Sequence, residues 1–557
     1  MSRRLGLVAA LAATACCSKS EVKGGGSAAG GTPGFTLIAL AEMRGQIGPC
    51  GCTSDPLGDL SRTAKLVETA RAGGPVLVLD AGSLLYSKSP VPDHLAAQEE
   101  LKADLLARTY KDKLKIGAIG LGPMDVPNGP DKLRMPRQVV NLPADAKFPV
   151  EAPHIIDVGG AKVGVFGVIA LDTIPALAVT DPAASGKAAI AKLRGDGAQI
   201  VVVLVQASSK KDAVQLLRGL PGVDLAVAGL GLAAPEPERV ESEATKVGDA
   251  WMVIPANRGQ VISRLEVVVR GAGPLVDAGG QAAATQKIAY LDKQIHQLDT
   301  DLKTFDADPA ADKAFVKAKH DERDRFVAER AALAANPVNK PQSGNYFTLE
   351  QVKINKALAC DLEVQGYVTS FFRAAGDVNV KAAAGRSPPD AKGGPTYVGS
   401  AACDDCHGDA VAFWRKTRHA HAWETLVERG QQFDFDCIGC HVTGWEKPGG
   451  SNLANTDKLR DVQCETCHGP ASVHIAKGGE ERPSAIIRVP ADTLCATQCH
   501  TKEHSDTFQH DAYLRDIVGP GHGDDLRKKL GDGDTGAQLR KAALDKAGRQ
   551  LGAGCVR

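Results

Sequence analysis

Short runs of apolar residues alternate with amphipathic stretches through the first half of the chain. The runs are rich in β-branched residues, which is typical of strands buried in a largely parallel sheet. Helical stretches separate them, so the pattern predicts an α/β domain over residues 35–272. The runs read FTLIAL, PVLVLDAG, KIGAIGLG, KVGVFGVIAL, IVVVLVQ, VDLAVAGL and VISRLEVVV.

A charged, glycine-free stretch follows at residues 281–336. Apolar residues recur there at spacings of three and four, which predicts a helix with a heptad seam. Pro309 interrupts the pattern, so we expect an antiparallel helical hairpin that serves as a spacer or a dimerisation arm. His296 and His320 are expected on its solvated faces. The seam consists of Ile288, Leu291, Ile295, Leu298, Leu302 and Phe305.

The remainder of the chain divides at turn-forming residues. Residues 344–384 are interpreted as a connecting segment that leads to a Gly/Pro-rich linker at 385–395. A domain rich in cysteine and histidine is predicted at 396–531, with a C-terminal tail at 532–557. A chain of 557 residues exceeds what one hydrophobic core supports, so a multidomain protein is expected.

The formal charge of the chain does not favour nucleic acid as a partner. Lys plus Arg and Asp plus Glu number 66 each, so no basic field favours nucleic acid. Cysteine is more informative, because eight of the 14 cysteines fall between Cys403 and Cys499. The cysteine chemistry is therefore concentrated in the C-terminal quarter.

The N-terminus has the pattern of an export signal. Arg3 and Arg4 precede an apolar stretch, Leu5 to Ala15, that is too short to span a bilayer. Small residues leading into Cys16 and Cys17 resemble a lipoprotein signal, with either cysteine as the lipidated one; an ordinary cleaved signal peptide is the alternative. We expect a signal peptide over 1–17, a flexible tether over 18–34, and a protein of the periplasm or cell envelope, lipid-anchored to the inner or outer membrane.

Three C-x-x-C-H sequences within the predicted cysteine-rich domain indicate covalent haem attachment. In such a motif two thiols bond the haem vinyl groups, and the adjacent histidine becomes the proximal ligand of the iron. A zinc site would pair C-x-x-C units without a histidine following each one. The motifs supply Cys403, Cys406 and His407; Cys437, Cys440 and His441; and Cys464, Cys467 and His468.

A fourth motif has one extra residue between its cysteines. Cys495 and Cys499 enclose three residues, and His500 follows directly. A bulged loop accommodates the insertion, so a fourth haem c is expected here, with a disulfide as the alternative.

The residues around these motifs resemble the tetrahaem cytochrome c-554 family. The resemblance is carried by VGSAACDDCH, CIGCHVTGW, VQCETCHGPASVH and GPGHG over about 130 residues. It implies distal iron ligands at His419, His474 and His522, which leaves one haem without a second histidine. Every methionine lies at or before Met252, so His/Met ligation is excluded in this domain. His421, His504 and His510 are alternates, and Trp414, Trp423 and Trp445 are expected to pack on porphyrins.

The α/β region resembles the 5'-nucleotidase type of metallophosphoesterase in its strand order and in GDLSRTAKLVETAR. That family implies two metals held by Asp, His and Asn at strand ends. Arginine and leucine do not ligate divalent cations, so we expect a degenerate fold without phosphoesterase activity; rearranged ligands are the alternative. The matching positions hold Glu42, Arg44, Ser83, Met124, Gln206, Leu230 and Leu232.

Cys50 and Cys52 lie in the loop after the first predicted strand. A disulfide across one residue is strained and easily reduced, so the pair is a candidate redox centre. It resembles the CGC loop of phosphoesterase-like thiol proteins that are fused to cytochromes. A free pair or a structural metal corner is the alternative.

The sequence thus predicts a membrane-anchored multihaem cytochrome that transfers electrons to and from redox proteins. One alternative is a haem-dependent oxidoreductase that acts on a small nitrogen, sulfur or oxygen species, or on Cys50 and Cys52. Another is a protein that binds a ligand or a partner through the inactive phosphoesterase-like domain.

Overall fold

Two six-stranded mixed sheets form the N-terminal part of the chain in the computed structural model, which describes residues 33–49, 52–309, 311–338, 340–548 and 555. The first sheet has the order β13-β14-β12-β1-β2-β3. In this sheet, strand β1 pairs in parallel with β2 and antiparallel with β12. The strands are β1 (Gly34–Leu40), β2 (Val76–Asp80), β3 (Ala118–Ile119), β12 (Val261–Val268), β13 (Leu275–Asp277) and β14 (Asn345–Lys353).

The second sheet has the order β10-β11-β9-β8-β7-β6. Four adjacent strands, β11, β9, β8 and β7, run parallel, and an antiparallel strand closes each edge. The strands are β6 (His154–Val158), β7 (Ala161–Ile169), β8 (Ile200–Gln206), β9 (Leu225–Gly229), β10 (Thr245–Val247) and β11 (Ala250–Val253); β4 (Arg137–Gln138) and β5 (Val150–Glu151) form a separate pair.

Helices cover the outer faces of the two sheets, which gives a four-layered sandwich. One apolar cluster fills the space between the sheets. A second lies under α1 (Leu60–Gly73) and α2 (Ala96–Thr109), and a third lies under α3 (Pro182–Gly195) and α4 (Lys210–Arg218). Since both faces of each sheet are buried, the strands need continuous apolar runs rather than alternating ones.

The segment predicted to connect two domains is part of the sandwich instead. Strand β14 pairs along its whole length with β12, and Phe347 is fully buried in the central core. The following helix, α7 (Leu362–Ala383), packs on α2 and contributes Val364 and Phe371 to the outer core. The sequence of this strand does not reveal its pairing partner, because β12 is separated from it by the helical hairpin.

The helical hairpin is formed by α5 (Gln281–Ala307) and α6 (Lys313–Ala335), which pack on each other along their lengths. It follows β13 and precedes β14, so it is an insertion between two strands of one sheet. His320 is solvated and its Nε2 lies 3.0 Å from an Asp306 carboxylate oxygen.

Short helices make up the C-terminal part of the chain. Its buried apolar cluster is small and consists of Ala383, Trp423, Ile438, Val442 and Leu453. The predicted fold class, a sandwich with a helical hairpin and a mainly helical module, is confirmed. The helices are α8 (Asp404–Trp414), α9 (Ala422–Val427), α10 (Phe435–Ile438), α11 (Cys464–His468), α12 (Ser472–Ala476), α13 (Thr493–Gln498), α14 (His510–Ile517), α15 (Asp524–Leu530) and α16 (Gly536–Lys546).

In the part of the chain that the structure describes, no helix is both long and apolar enough to cross a membrane. The predicted signal peptide with Cys16 and Cys17, and Cys50 of the thiol pair, lie outside the described residues.

Candidate haem-binding site

Each attachment motif lies on or beside a short helix. The third motif is itself one helical unit, α11, whereas the backbone of the first is kinked at His407, with φ −120° and ψ 34°. The second begins at Cys437 within α10, whose first residue, Phe435, follows Asp434. The Asp434 carboxylate caps this helix by accepting the Asp436 amide at 3.0 Å. Helix α11 contains both cysteines of its motif, whereas α8, α10 and α13 each contain one.

The cysteines of different motifs come together in two pairs. The thiols of Cys403 and Cys464 contact each other, which raises the pKa of Cys403 and lowers that of Cys464. A matching contact joins Cys440 to Cys499, and it lowers the pKa of Cys440 to about 7. The first motif therefore neighbours the third, and the second neighbours the fourth.

Three of the predicted iron ligands share one hydrogen-bonding pattern. In each, ring atom Nδ1 lies within hydrogen-bonding distance of a backbone carbonyl. A histidine that donates from Nδ1 presents an unprotonated Nε2, which is the form that binds a metal, and such second contacts fix the ring orientation. The distances are 2.5 Å from His441 to Ala422, 2.7 Å from His468 to Ile487 and 2.7 Å from His474 to Glu481.

Two further predicted ligands lie near proximal histidines. The rings of His419 and His500 have centroids 6.3 Å apart, and Phe508 stacks on His500 at 4.9 Å. Burial lowers the pKa of His500 to about 4, and His419 acts in the same direction. Burial likewise lowers the pKa of His522, and His468 adds to that effect. Both shifts favour the neutral imidazole, which is the form that ligates iron.

A cavity of about 2800 Å³ lies between the helical module and the sandwich. Ordinary small-molecule pockets measure about 300–1,000 Å³, so this one has room for more than one such ligand. Helix α7 of the sandwich forms one wall and α16 another. The motif residues and predicted ligands that line the cavity are Cys437, Cys440, Cys467, Cys495, Cys499, His419, His441 and His500.

These residues fit haem c. They supply paired thiols, an imidazole directly after each pair, and a further imidazole, His419, that lies against the proximal His500. With such motifs around a cavity, this region has the features of a c-type cytochrome.

Comparison with known proteins narrows this class. Residues 402–469 match the family described as cytochrome c554 and c-prime. A 90-residue stretch is 32% identical to cytochrome c-554 of Nitrosomonas europaea and covers 13% of this chain. That stretch spans 38% of the relative's length. The C-terminal region is therefore cytochrome c-554-like, and its cofactor is haem c.

Solved structures show likenesses to both parts of the chain. The 5'-nucleotidase precursor of Thermus thermophilus is 18% identical, with 64% of this chain and 61% of that one covered and a TM-score of 0.42. The sulfate thiohydrolase SoxB of the same organism is 12% identical over 62% and 61%, with a TM-score of 0.41. Reduced cytochrome c554 of Nitrosomonas europaea is 28% identical over 15% and 49%, with a TM-score of 0.15.

The positions that matched phosphoesterase metal ligands converge at one edge of the sandwich. There Glu42, after β1, accepts hydrogen bonds from Arg44 Nε at 3.1 Å and from Gln206 at 3.1 Å, and Gln206 ends β8 of the other sheet. The Arg44 guanidinium also donates to the Gly231 carbonyl. Burial raises the pKa of Glu42, and Arg44 opposes that shift. A buried guanidinium occupies this edge, so the residues present do not fit two metal cations.

The remaining positions of that set also lack metal-binding character. Ser83 is buried and its amide donates to Asp125 at 2.8 Å. Met124 lines the cavity with Leu232, whose side chain is 84% exposed, while Leu230 is buried in the sandwich.

Cys52 lies in the same cavity as the second and fourth motifs. Arg540 of α16 donates to the Cys52 carbonyl at 2.6 Å, and the Ser54 amide donates to Asp506 at 3.1 Å. Burial raises the pKa of Cys437, and the nearby Cys52 contributes to the shift. The loop that carries Cys52 is therefore fastened to the helical module.

A disulfide between Cys360 and Cys555 was not predicted from the sequence. It joins the start of α7 to the C-terminal tail, with Cα atoms 6.0 Å apart. A simple signal was available: these are the two cysteines left after the haem motifs, the CGC loop and the lipidation candidates are assigned, and exported proteins tend to pair such cysteines.

Proposed function

We propose that this protein is an exported, lipid-anchored cytochrome that transfers electrons through four covalently bound haem c groups. The observation that carries the proposal is the arrangement of four attachment motifs, in which cysteines from three of them and neutral imidazoles line one cavity. The fourth haem is assigned to Cys495 and Cys499, whose motif meets the second at the Cys440–Cys499 contact. Redox proteins are its expected partners.

The pairing of motifs supports a route for electrons within the module. Cys403 lies against Cys464, and Cys440 against Cys499, so each haem has a close neighbour. Cys467 of the third motif and Cys495 of the fourth share the cavity, where burial raises the pKa of the Cys467 thiol to about 11 and Cys495 adds to that shift. A bound haem supplies the one-electron chemistry; the chain supplies the spacing, the axial imidazoles and the exclusion of water.

The axial ligands follow from the neighbouring imidazoles. His419 faces His500, and His522 lies near His468, so these pairs are proposed to ligate the haems of the fourth and third motifs. His474 is proposed as the remaining distal ligand. One haem then keeps an open or weakly filled sixth position. Without a methionine sulfur, most of the potentials are expected to be low.

The export signal and the lipid anchor rest on the sequence of residues 1–17. They agree with covalent haem attachment and with a disulfide, since both belong to oxidising, exported environments. The leading proposal for location is the periplasmic side of a membrane.

A second candidate function is supported by the position of Cys52. Its loop is held against the cavity beside Cys437, so electrons from two ferrous haems could reduce a Cys50–Cys52 disulfide to two thiols with uptake of two protons. In this reading the protein is a thiol–disulfide oxidoreductase. Thiol trapping at a series of applied potentials tests it: two thiols should appear on reduction in the wild type and be lost in Cys50→Ser, with the haem content unchanged.

Haem stoichiometry and spin state test the leading proposal. The purified holoprotein should contain four haems, three low-spin and one that responds to CO or NO. Changing His474 to alanine should convert one further low-spin haem to high spin, because its iron loses an axial imidazole. His510→Ala is the matched control and should leave the spectrum unchanged.

Three haems or fewer would contradict the assignment of the fourth motif. Four low-spin centres without a response to CO would remove the open position and leave electron transfer alone.

A further inference from the structure

The attachment loop of the second motif is fixed to helix α2 of the sandwich by polar side chains. Gln98, fully buried, donates from Nε2 to an Asp434 carboxylate oxygen at 2.7 Å. Lys102, one turn further along α2 and 5% exposed, forms an ion pair with Asp436. Asp436 directly precedes Cys437, and Asp434 lies three residues before it. A domain remote in sequence thus holds the start of this motif.

We call Gln98, Lys102, Asn379, Asp434 and Asp436 the seat of the second motif, and helix α7 contributes Asn379 to it. Asn379 donates to the Gln98 side-chain oxygen at 2.8 Å and to the Phe433 carbonyl at 2.8 Å. The same Gln98 oxygen accepts the Phe435 amide at 3.2 Å. Each polar atom of the Gln98 amide therefore has partners, which is what a buried amide needs to remain favourable.

Asp434 of the seat also contacts the thiol of Cys437. The Cys437 thiol lies 3.6 Å from an Asp434 carboxylate oxygen, and burial raises the pKa of this thiol. Since Asp434 also caps the helix that contains Cys437, a shift of the seat would move the attachment point of the haem. Through these contacts the sandwich positions one haem site in particular, the site of Cys437 and Cys440.

Lys102 brings a positive charge into this seat. Its ammonium contacts the Glu99 carboxylate at 2.9 Å as well as that of Asp436, and it lines the cavity. Charges in a low-dielectric interior interact more strongly than charges in water. A ferric haem carries one more positive charge than a ferrous haem, so a nearby cation favours the ferrous form and a nearby carboxylate favours the ferric form.

We propose that the sandwich is an electrostatic seat for the haem bound by Cys437 and Cys440, with Lys102 and Asp436 as the positioning residues that set the redox potential of this haem. The inference rests on the proposed haem attachment at this motif. It assigns the sandwich a role that does not require phosphoesterase chemistry.

Potentiometric titration of two single variants of the full-length holoprotein tests the proposal. In Lys102→Met, loss of the cation should change the ferrous-to-ferric ratio of one haem at fixed potential about tenfold toward ferric, a fall of about 59 mV for a one-electron couple. In Asp436→Asn, the same haem should shift in the opposite direction. Loosening of the seat alone would move both variants the same way.

Lys113→Met is the matched control. Lys113 also pairs with two carboxylates, those of Asp361 at 3.3 Å and Glu363 at 2.5 Å, but these contacts lie within the sandwich. All four haem potentials should stay unchanged in this variant. Haem content is measured in every sample.

The outcomes separate the inference from the proposed function. A wild type that lacks haem at Cys437 and Cys440, as shown by mass spectrometry of the attached peptide, overturns both. Full haem content with no opposite shifts in the two variants overturns the electrostatic seat alone.

Discussion

The two parts of the chain treat their polar groups in contrasting ways. At the strand-end edge of the sandwich, Glu42, Arg44 and Gln206 bond to one another and to the backbone. In the helical module, by contrast, His441 and His468 each direct Nδ1 at a backbone carbonyl. The first arrangement satisfies its charges internally, and the second leaves metal-binding atoms available.

The hydrophobic cores of the sandwich and of the helical module also differ. Three extensive apolar clusters stabilise the sandwich, whereas the helical module has a single small one around Trp423 and Ile438. Burial of apolar surface is the main favourable contribution to folding, so we expect the module to need the apolar surface of bound haem to be comparably stable. The difference indicates that the sandwich is stabilised by its own side chains, whereas the helical module is expected to depend on its cofactor.

The largest effect is expected from breaking the buried ion pair of the sandwich. Glu42→Ala leaves the Arg44 guanidinium buried without a carboxylate, which should lower the free energy of unfolding by about 3–5 kcal/mol. Urea unfolding followed by the fluorescence of Trp251, the tryptophan of the sandwich, measures it. The double variant Glu42→Ala with Arg44→Ala should cost less, because both charges are removed. Equal loss in the single and double variants would show that the charge is not the cause.

Removal of the disulfide tests whether the crosslink stabilises the sandwich and the helical module together. Replacing Cys360 and Cys555 by serine should lower the free energy of unfolding by about 2–4 kcal/mol, because the crosslink joins residues 195 positions apart. The single variant Cys360→Ser is the comparison and should lose as much stability as the double variant, because it removes the same crosslink. Unfolding is measured by Trp251 fluorescence and by haem absorbance. A change confined to one signal would mean that the crosslink stabilises only that half.

A pH-dependent effect, small per pH unit, is expected in the sandwich alone. Burial raises the pKa of Asp80 from 3.8 to about 7, although Tyr110 and the Gly82 amide donate to its carboxylate. The folded state therefore holds a proton that the unfolded state releases, so stability should fall as pH rises from about 4 to 7, by at most about 1.4 kcal/mol per pH unit. Asp80→Asn should flatten this slope. An unchanged slope would assign the titration to another group.

Much of the candidate site was readable from the sequence because haem attachment is local. A cysteine pair and the histidine beside it lie within one short segment, so spacing alone predicts His407, His441 and His468 as proximal ligands with their cysteines. The continuous apolar runs likewise predicted the sheets, because strands buried on both faces show no alternation. Which distal histidine meets which motif was not readable, since that depends on chain segments brought together from a distance, as His419 and His500 are.

The sequence by itself determined which chemical groups this chain carries: the thiols and imidazoles of its four attachment motifs, the absence of methionine from their segment, and residues such as Arg44 at the positions that match phosphoesterase metal ligands. Only the tertiary structure decided that β14 and α7 belong to the sandwich, that Cys360 pairs with Cys555, and that Lys102 reaches Asp436. The physical reason is how far apart in the sequence the interacting residues lie. Covalent attachment and strand burial act within a few residues, whereas a sheet partner, a crosslink and a buried ion pair exist only after distant segments have packed together.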